Sequence, residues 1–399
     1  MKIICFHASL ACLLLLALPV HAAPLEANGN VNYRGSLLNS LSRFEKEKKG
    51  HVAFIGGSIT EMNGYRPMVC EILRKRFPET QFSFTDAGIS STCSTTGAFR
   101  LKSDVLDKGP VDLFFVEFAV NDDQDAAHAR RDCIRGMEGI VRHARADNPN
   151  ADIVITYFVN PGMMETIGGS GVPISIAGHD EVARHYGIST INLAKEVTQR
   201  IADGKLTWKK FGGVHPAPFG NAICTGMIDQ LLSAAWRKPS EADAAGKPHP
   251  VPPKPLDEQS YFNGRFVDPA IANILSGWKL HVPKWKELPG NCRGRFLETP
   301  MLCTTKPGAE LKLEFNGRAV GAYLLAGPDV GTVEASVDGG PSRSIDLYHR
   351  YSRGLHYPRT VMFAADLAPG KHVLTLRVAV DRNAASSGHA VRIIQFTAN

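Results

Sequence analysis

The chain has 399 residues, 44% of them hydrophobic and 21% charged, with a formal net charge of +6. That composition fits a globular protein with room for two domains and excludes fibrous, disordered and multi-span membrane classes. The charge is too small to name a partner: "ILRKRF" reads as the solvated face of a helix, no run of Lys and Arg interleaves with aromatics, and nucleic acid is not expected as a partner.

The N-terminus places Lys2 before an apolar stretch from Leu10 to Val20, followed by His21, Ala22 and Ala23. This pattern predicts an export signal over residues 1–22, cleaved near Ala22, because the apolar run is shorter than the roughly 20 residues a bilayer requires. Cys12 precedes most of that run, so lipidation is not expected. The mature chain is expected to be periplasmic or extracellular, without stable membrane insertion. Its remaining cysteines (Cys70, Cys93, Cys133, Cys224, Cys292 and Cys303) show no CxxC pair or metal-site spacing. An even number in an exported chain points to disulfides, with Cys292 and Cys303 paired as local neighbours and the other four unassigned.

Residues 23–236 alternate short apolar runs ("HVAFIGG", "FSFTDAG", "VDLFFVEFAV", "ADIVITYFV", "ISTINL") with helix-like stretches such as "RRDCIRGMEGIVRHARA". Continuous apolar strands with helical crossovers predict an α/β domain with a parallel sheet covered on both faces. Residues 237–256, rich in proline, read as a semi-rigid linker. From 257 to 399 the period becomes two, as in "AELKLEFNG" and "GKHVLTLRVAV", with Asp338-Gly339 as a hairpin turn, which predicts an antiparallel β-sandwich. "GGSGVP" at 168–173 follows the fourth strand, as a border of a ligand crevice or as a surface loop; no Lys-Ser/Thr of a phosphate loop follows it.

The strand ends carry the chemistry. Ser58 follows the first strand, "DAGISST" the second and Asn121 the third, while His215 comes late in the domain in "FGGVHPAPFG"; open α/β sheets gather such residues at one carboxyl edge. A serine hydroxyl is a poor nucleophile until a base takes its proton, and a tetrahedral oxyanion needs donors aimed at it. Gly56 and Gly57 let the chain turn tightly beneath the hydroxyl.

In order and spacing this grouping resembles the SGNH hydrolases, also called the GDSL esterases and lipases, over roughly residues 30–236. The resemblance implies a flavodoxin-like three-layer α/β fold with a parallel sheet. Ser58 takes the nucleophile's place, with "GGS" for the usual Gly-Asp-Ser; His215 in "VHP" takes the base's, and the Asn121 side chain in "VND" an oxyanion donor's. The resemblance implies the backbone amides of Ser58 and Ser91 as further oxyanion donors. Two positions depart from the family: Ser91 stands where a glycine is usual, and Gly212 where the acid that orients the histidine is usual. His215 is then oriented by a backbone carbonyl in a Ser-His dyad, by a displaced acid such as Glu61, Asp86 or Asp122, or by an acid of the β-sandwich. Cys93 is read as structural, since a thiol nucleophile would need its own base, and Asp123 as a cap of a helix beginning near Gln124, a role open to Asp122 as well. His179, His185 and His249 are scattered, so no metal and no cofactor is expected.

The wider pattern ("GAFRLKSDVL", "MEGIVRHARADNP", "HDEVARHYGI") resembles SGNH enzymes of carbohydrate-degrading systems, several of which carry a jelly-roll β-sandwich. This implies removal of acetyl groups from an acetylated oligo- or polysaccharide, and the compact "ITEMNGYRP" after Ser58 suits a short acyl group. In "DLYHRYSRGLHYPRT" at 346–360, Tyr351, Arg353, His356 and Tyr357 are possible substrate contacts, or parts of a packed loop. The alternatives are a non-catalytic glycan-binding protein on a degenerate SGNH fold and a lipase or thioesterase of the same fold.

Overall fold

In the chain order expected, five apolar segments form strands that end at one edge. The computed structural model describes residues 29–237 and 247–399; the expected export segment lies outside the described residues. The first sheet contains β1 (Val31–Asn32), β2 (Lys49–Gly56), β3 (Gln81–Gly88), β4 (Leu113–Glu117), β5 (Asp152–Thr156) and β6 (Ser189–Ile191), in the order β1-β6-β5-β4-β2-β3. All pairings are parallel except β1 with β6. β4 and β5 are buried along their whole length, as expected of strands covered on both faces. The two-residue β1 was not foreseen, being too short to show a period.

The helices are α1 (Leu38–Glu45), α2 (Ser58–Glu61), α3 (Tyr65–Arg76), α4 (Ser94–Asp104), α5 (Arg130–Asp147), α6 (Pro161–Gly168), α7 (Ile174–His185), α8 (Leu193–Ala202), α9 (Trp208–Phe211) and α10 (Pro218–Ala235). Their apolar faces and the sheet share one core, with Phe54 stacked on Phe115 at 5.0 Å. Among the described residues no helix is long and apolar enough to cross a membrane.

Residues 247–256 lie against this unit. Prolines lack a donor but keep their carbonyls, and here these are used: Arg142 donates to Pro252 (2.9 Å) and Arg145 to Pro250 (3.1 Å), while His249 Nε2 meets Asp152 at 2.7 Å. Residues 247–256 are thus tied to the α/β unit rather than spanning open space.

The second half forms two antiparallel sheets around its own core. One contains β7 (Arg265–Val267), β9 (Lys279–His281), β10 (Met301–Thr304), β12 (Val320–Ala326), β15 (Tyr357–Ala364) and β17 (Val391–Ala398). The other contains β8 (Asn273–Ser276), β11 (Glu310–Gly317), β13 (Thr332–Val337), β14 (Arg343–Asp346) and β16 (Gly370–Val378). β13 and β14 form the expected hairpin, its turn residues Asp338 and Gly339 both at positive φ, 53° and 71°.

The expected pairing of Cys292 with Cys303 is not present: all six described cysteines are free. Both border one small apolar cluster with Phe296, Met301 and Tyr323, but the Cys303 thiol is buried in it while Cys292 Sγ donates to the Arg293 carbonyl (3.7 Å). Proximity in sequence did not bring the two sulfurs into a bond.

The sandwich packs on α4 and α5. Thr96 donates to Thr360 (2.9 Å), Arg131 and Arg135 pair with Asp257 and Asp366, and Phe266 and Met362 rest on the α/β core. This docking brings the loops of the second half to the carboxyl edge of the first sheet.

Candidate active site

Ser58 opens α2 at the end of β2, where the first amide of a helix has no partner within the helix. Gly57 before it leaves room for Asn121: an added Cβ would lie 2.0 Å from Asn121 Oδ1 and would push that side chain out of place. His215 stands in the loop between α9 and α10, held by Ala217 N donating to Phe211 O (2.9 Å) and by Asn221 donating to Pro216 O (2.6 Å). Its Nε2 meets Ser58 Oγ at 2.7 Å. Two residues 157 positions apart are therefore hydrogen-bonded at the carboxyl edge of the sheet.

Gly212 explains why no acid precedes the histidine. It has a φ of 108°, ends α9 in the left-handed region, and would place a Cβ 1.9 Å from Ala217 N. A side chain there would displace the loop that carries His215. The displaced acids considered above are committed elsewhere. Glu61 accepts from the amide and hydroxyl of Ser90 and pairs with Arg295; Asp86 binds Arg66 (2.7 Å). Asp122 is fully buried and accepts from Ser94 N (2.7 Å), Ser94 Oγ (2.6 Å) and His179 Nε2 (2.8 Å). Among the described residues His215 makes one hydrogen bond, to Ser58, and neither carbonyl nor carboxylate is in place for its Nδ1.

Asn121 begins a π-helical turn, Asn121–Asp125, closed by Ala126 N donating to Asn121 O (2.8 Å). Such widened turns re-aim side chains and recur at functional sites. Asn121 Nδ2 donates to Asp125 Oδ2 (2.6 Å), which leaves the amide's second N–H for a ligand. Burial raises the Asp125 carboxyl, against the lowering effect of the bonds from Asn121 and Gln124. Asp122 and Asp123 do not cap the following helix: α5 begins only at Arg130, Asp122 holds the start of α4, and Asp123 accepts from Asn160 (2.8 Å).

Ser91 has a φ of 70°, a strained value for a residue with a side chain, and its amide meets no acceptor among the described residues. It is braced from the second domain. Arg293 donates to Ser90 O (2.9 Å) and Ser91 Oγ (2.8 Å), and Tyr357 donates to Ser91 O (3.3 Å). Beneath these loops Arg100, fully buried, donates to Gly56 O (2.9 Å) and Ala87 O (2.6 Å), tying the ends of β2 and β3 together. Glu117, also fully buried at the end of β4, is pushed up to about 8 by loss of solvent, so it is mostly protonated at neutral pH.

The 346–360 loop is divided. Tyr351 (39% exposed) and Arg353 face outward, and Arg350 donates to the Gln124 carbonyl. His356 and Tyr357 are buried and are not free to contact a glycan: His356 packs edge-on against Trp285, and the Tyr357 hydroxyl is spent on Ser91. The "GGSGVP" segment lines a groove with Asp180 and Asn192 on the β6 side, away from Ser58. His179, His185 and His249 are bonded to Asp122, Lys254 O and Asp152.

Sequence reasoning missed Arg100, Asp125 and Arg293, and it did not foresee His128 beside Cys93. The thiol read as lacking a base has His128 beside it: burial raises the thiol, but His128 more than offsets this and lowers it below the ordinary value. Asp125 had one legible signal, a carboxylate four residues after the asparagine; Arg100 had another, a guanidinium inside the apolar "GAFRL".

Residues 54–223 match the family model described as GDSL-like Lipase/Acylhydrolase family. Ser58, Ser91, Asn121 and His215 all fall inside that stretch, which is a GDSL-like acylhydrolase (SGNH) domain and sets the enzyme class as ester hydrolase. The whole chain is similar to two solved structures of a two-domain esterase (CEX) active on acetylated mannans, one of them co-crystallised with mannopentaose. Both align at a TM-score of 0.70, with 18% and 19% identity, over 92% of this chain and 96% and 97% of those chains. An acetylxylan esterase from Geobacillus stearothermophilus aligns over 47% of this chain and 95% of its own, at 18% identity and a TM-score of 0.37. At such identities the two full-length likenesses establish the two-domain fold. No curated protein matches.

Proposed function

We propose that this chain is an exported serine esterase that removes acetyl groups from an oligo- or polysaccharide through a Ser-His dyad. The observation that carries the proposal is the 2.7 Å contact between His215 Nε2 and Ser58 Oγ. In the first half-reaction Ser58 Oγ attacks the acetyl carbonyl carbon while His215 takes its proton. The charge on the carbonyl oxygen is met by the free N–H of Asn121 and by the amides of Ser58 and Ser91. Collapse breaks the bond to the sugar oxygen, which receives the proton from His215. Water, deprotonated by the same imidazole, then attacks the acetyl-enzyme and releases acetate.

Among the described residues no carboxylate holds its tautomer, so His215 is placed by its loop, and the oxyanion donors supply most of the rate enhancement. The sugar reading is supported by the whole-length likeness to esterases active on acetylated mannans and by the exposed Tyr351, whose ring offers an apolar face beside the Asn121 turn. Export rests on the sequence of residues 1–22.

The bare His215 also favours a second reading, a glycan-binding protein that has lost turnover. Acetate release from acetylated manno-oligosaccharides separates the two. Wild type should exceed Ser58→Ala by about 10⁴-fold or more, and equal rates would leave only the binding reading. A profile over chromogenic esters should fall from acetyl to longer acyl chains; a rise would point to a lipase or thioesterase.

A further inference from the structure

Behind the oxyanion turn, Cys93 Sγ, an Asp122 carboxylate oxygen and a His128 ring nitrogen all lie within 4.8 Å of one another, and Asp122, Cys133 and His179 form a second such group. Thiolate, imidazole and carboxylate together are the ligand types of zinc-class cations.

The hydrogen bonds around Asp122 leave one place open. A carboxylate offers about four lone-pair positions; two are filled by the amide and hydroxyl of Ser94 and a third by His179. The fourth faces His128 Nδ1, which is buried, makes no hydrogen bond of ordinary length, and stands 3.6 Å from Asp122 Oδ1, with the Cys93 and Cys133 thiols as its other neighbours. That is too long for an N–H···O bond. It is close to the separation of two ligands on one tetrahedral ion, about 3.3 to 3.6 Å for the bond lengths of zinc to nitrogen, oxygen and sulfur.

We propose that Cys93, Asp122 and His128 bind a zinc-class divalent cation. The surroundings suit a metal site. His179 Nε2 fixes the carboxylate as an outer hydrogen-bond partner, and His128 N donating to Asp122 O (2.8 Å) closes the loop that carries two of the ligands. Cys93 and His128 border a cavity of about 230 Å³ between the two domains, which gives the ion a way in and leaves a fourth position for water. Arg359 lines the same cavity, but the thiolate and carboxylate neutralise a divalent ion, so the guanidinium faces no net positive charge. The bound ion joins the first turn of α4 to the turn that carries Asn121.

The test uses the full chain, stripped with EDTA, dialysed and titrated with Zn²⁺ and with Co²⁺ as a spectroscopic probe. One retained Zn²⁺ per chain and a thiolate-to-Co²⁺ charge-transfer band are expected. Cys93→Ser and His128→Ala should weaken Co²⁺ binding by about tenfold or more, and Cys93→Ser should abolish the band, while Cys70→Ser, altering a thiol on α3, leaves both unchanged. To avoid reliance on variants that fail to fold, alkylation of Cys93 in the wild-type chain is mapped by mass spectrometry with and without Zn²⁺; protection is expected. No stoichiometric ion, an unchanged band in Cys93→Ser, or alkylation indifferent to Zn²⁺ overturns the proposal.

Discussion

The two sides of the site are built in opposite ways. The side of the proposed base is nearly bare: His215 is exposed, carried by a loop and, among the described residues, hydrogen-bonded to Ser58 alone. The side proposed to hold the oxyanion is over-determined. Asn121 is held by Asp125, Ser91 by Arg293 and Tyr357 from the other domain, and the strand ends below them by Arg100. The contrast teaches where accuracy matters. A base that swings a few tenths of an ångström still finds its proton, whereas donors stabilise a developing charge only if they already point at it. The second domain belongs to that rigid half, since Arg293 and Tyr357 brace the Ser90–Ser91 turn.

The sharpest way to break this comparison is to remove a donor. Asn121→Ala should lower kcat by about 10²- to 10³-fold with KM little changed, as measured by acetate release; a loss confined to KM would remove Asn121 from the oxyanion site. Smaller losses are expected from the braces. Asp125→Ala and Arg293→Met should each lower kcat by roughly tenfold, and if Arg293→Met left kcat untouched, the sandwich would not belong to the catalytic half.

Gly212→Asp tests the other side. Restoring an acid by sequence should not restore a triad, because the left-handed backbone and the 1.9 Å approach to Ala217 oppose any side chain. Strain of about 1 to 3 kcal/mol should lower thermal stability, and a gain in activity would show that the loop can yield.

The smallest effect concerns Glu117, whose folded pKa of about 8 lies above its ordinary 4.5. Between these values the unfolded chain has lost the proton while the folded chain keeps it, so this group's contribution is full below about 4.5, falls by roughly 1.4 kcal/mol per pH unit, and levels off above 8. Glu117→Gln lacks that slope. Its melting temperature relative to wild type should therefore rise as pH goes from 5 to 8, and a pH-independent difference would mean that Glu117 is ionised throughout.

Much of this was legible because strand ends are. Ser58, Ser91 and Asn121 each follow an apolar run, and a parallel sheet leaves such positions at one edge; the change to a period of two likewise announced the sandwich. Asp125 could have been found from its spacing, four residues after Asn121, but the sequence does not show that a helical turn begins at Asn121 itself rather than after it. Arg293 and Tyr357 were hidden by docking, since nothing in "NCRGRF" or "LHYPRT" says which surface of the first domain it will meet. Cys93 and His128 were hidden because their meeting depends on the loop that closes from Asp122 to His128. The paired reading of Cys292 and Cys303 failed because sequence separation does not set thiol direction.

The most direct test is to quench the reaction with an acetylated manno-oligosaccharide during turnover and map the covalent adduct by peptide mass spectrometry. The account predicts a single acetyl group on Ser58, absent in Ser58→Ala. Steady acetate release with no acetyl on Ser58, or with the acetyl on another residue, would contradict it.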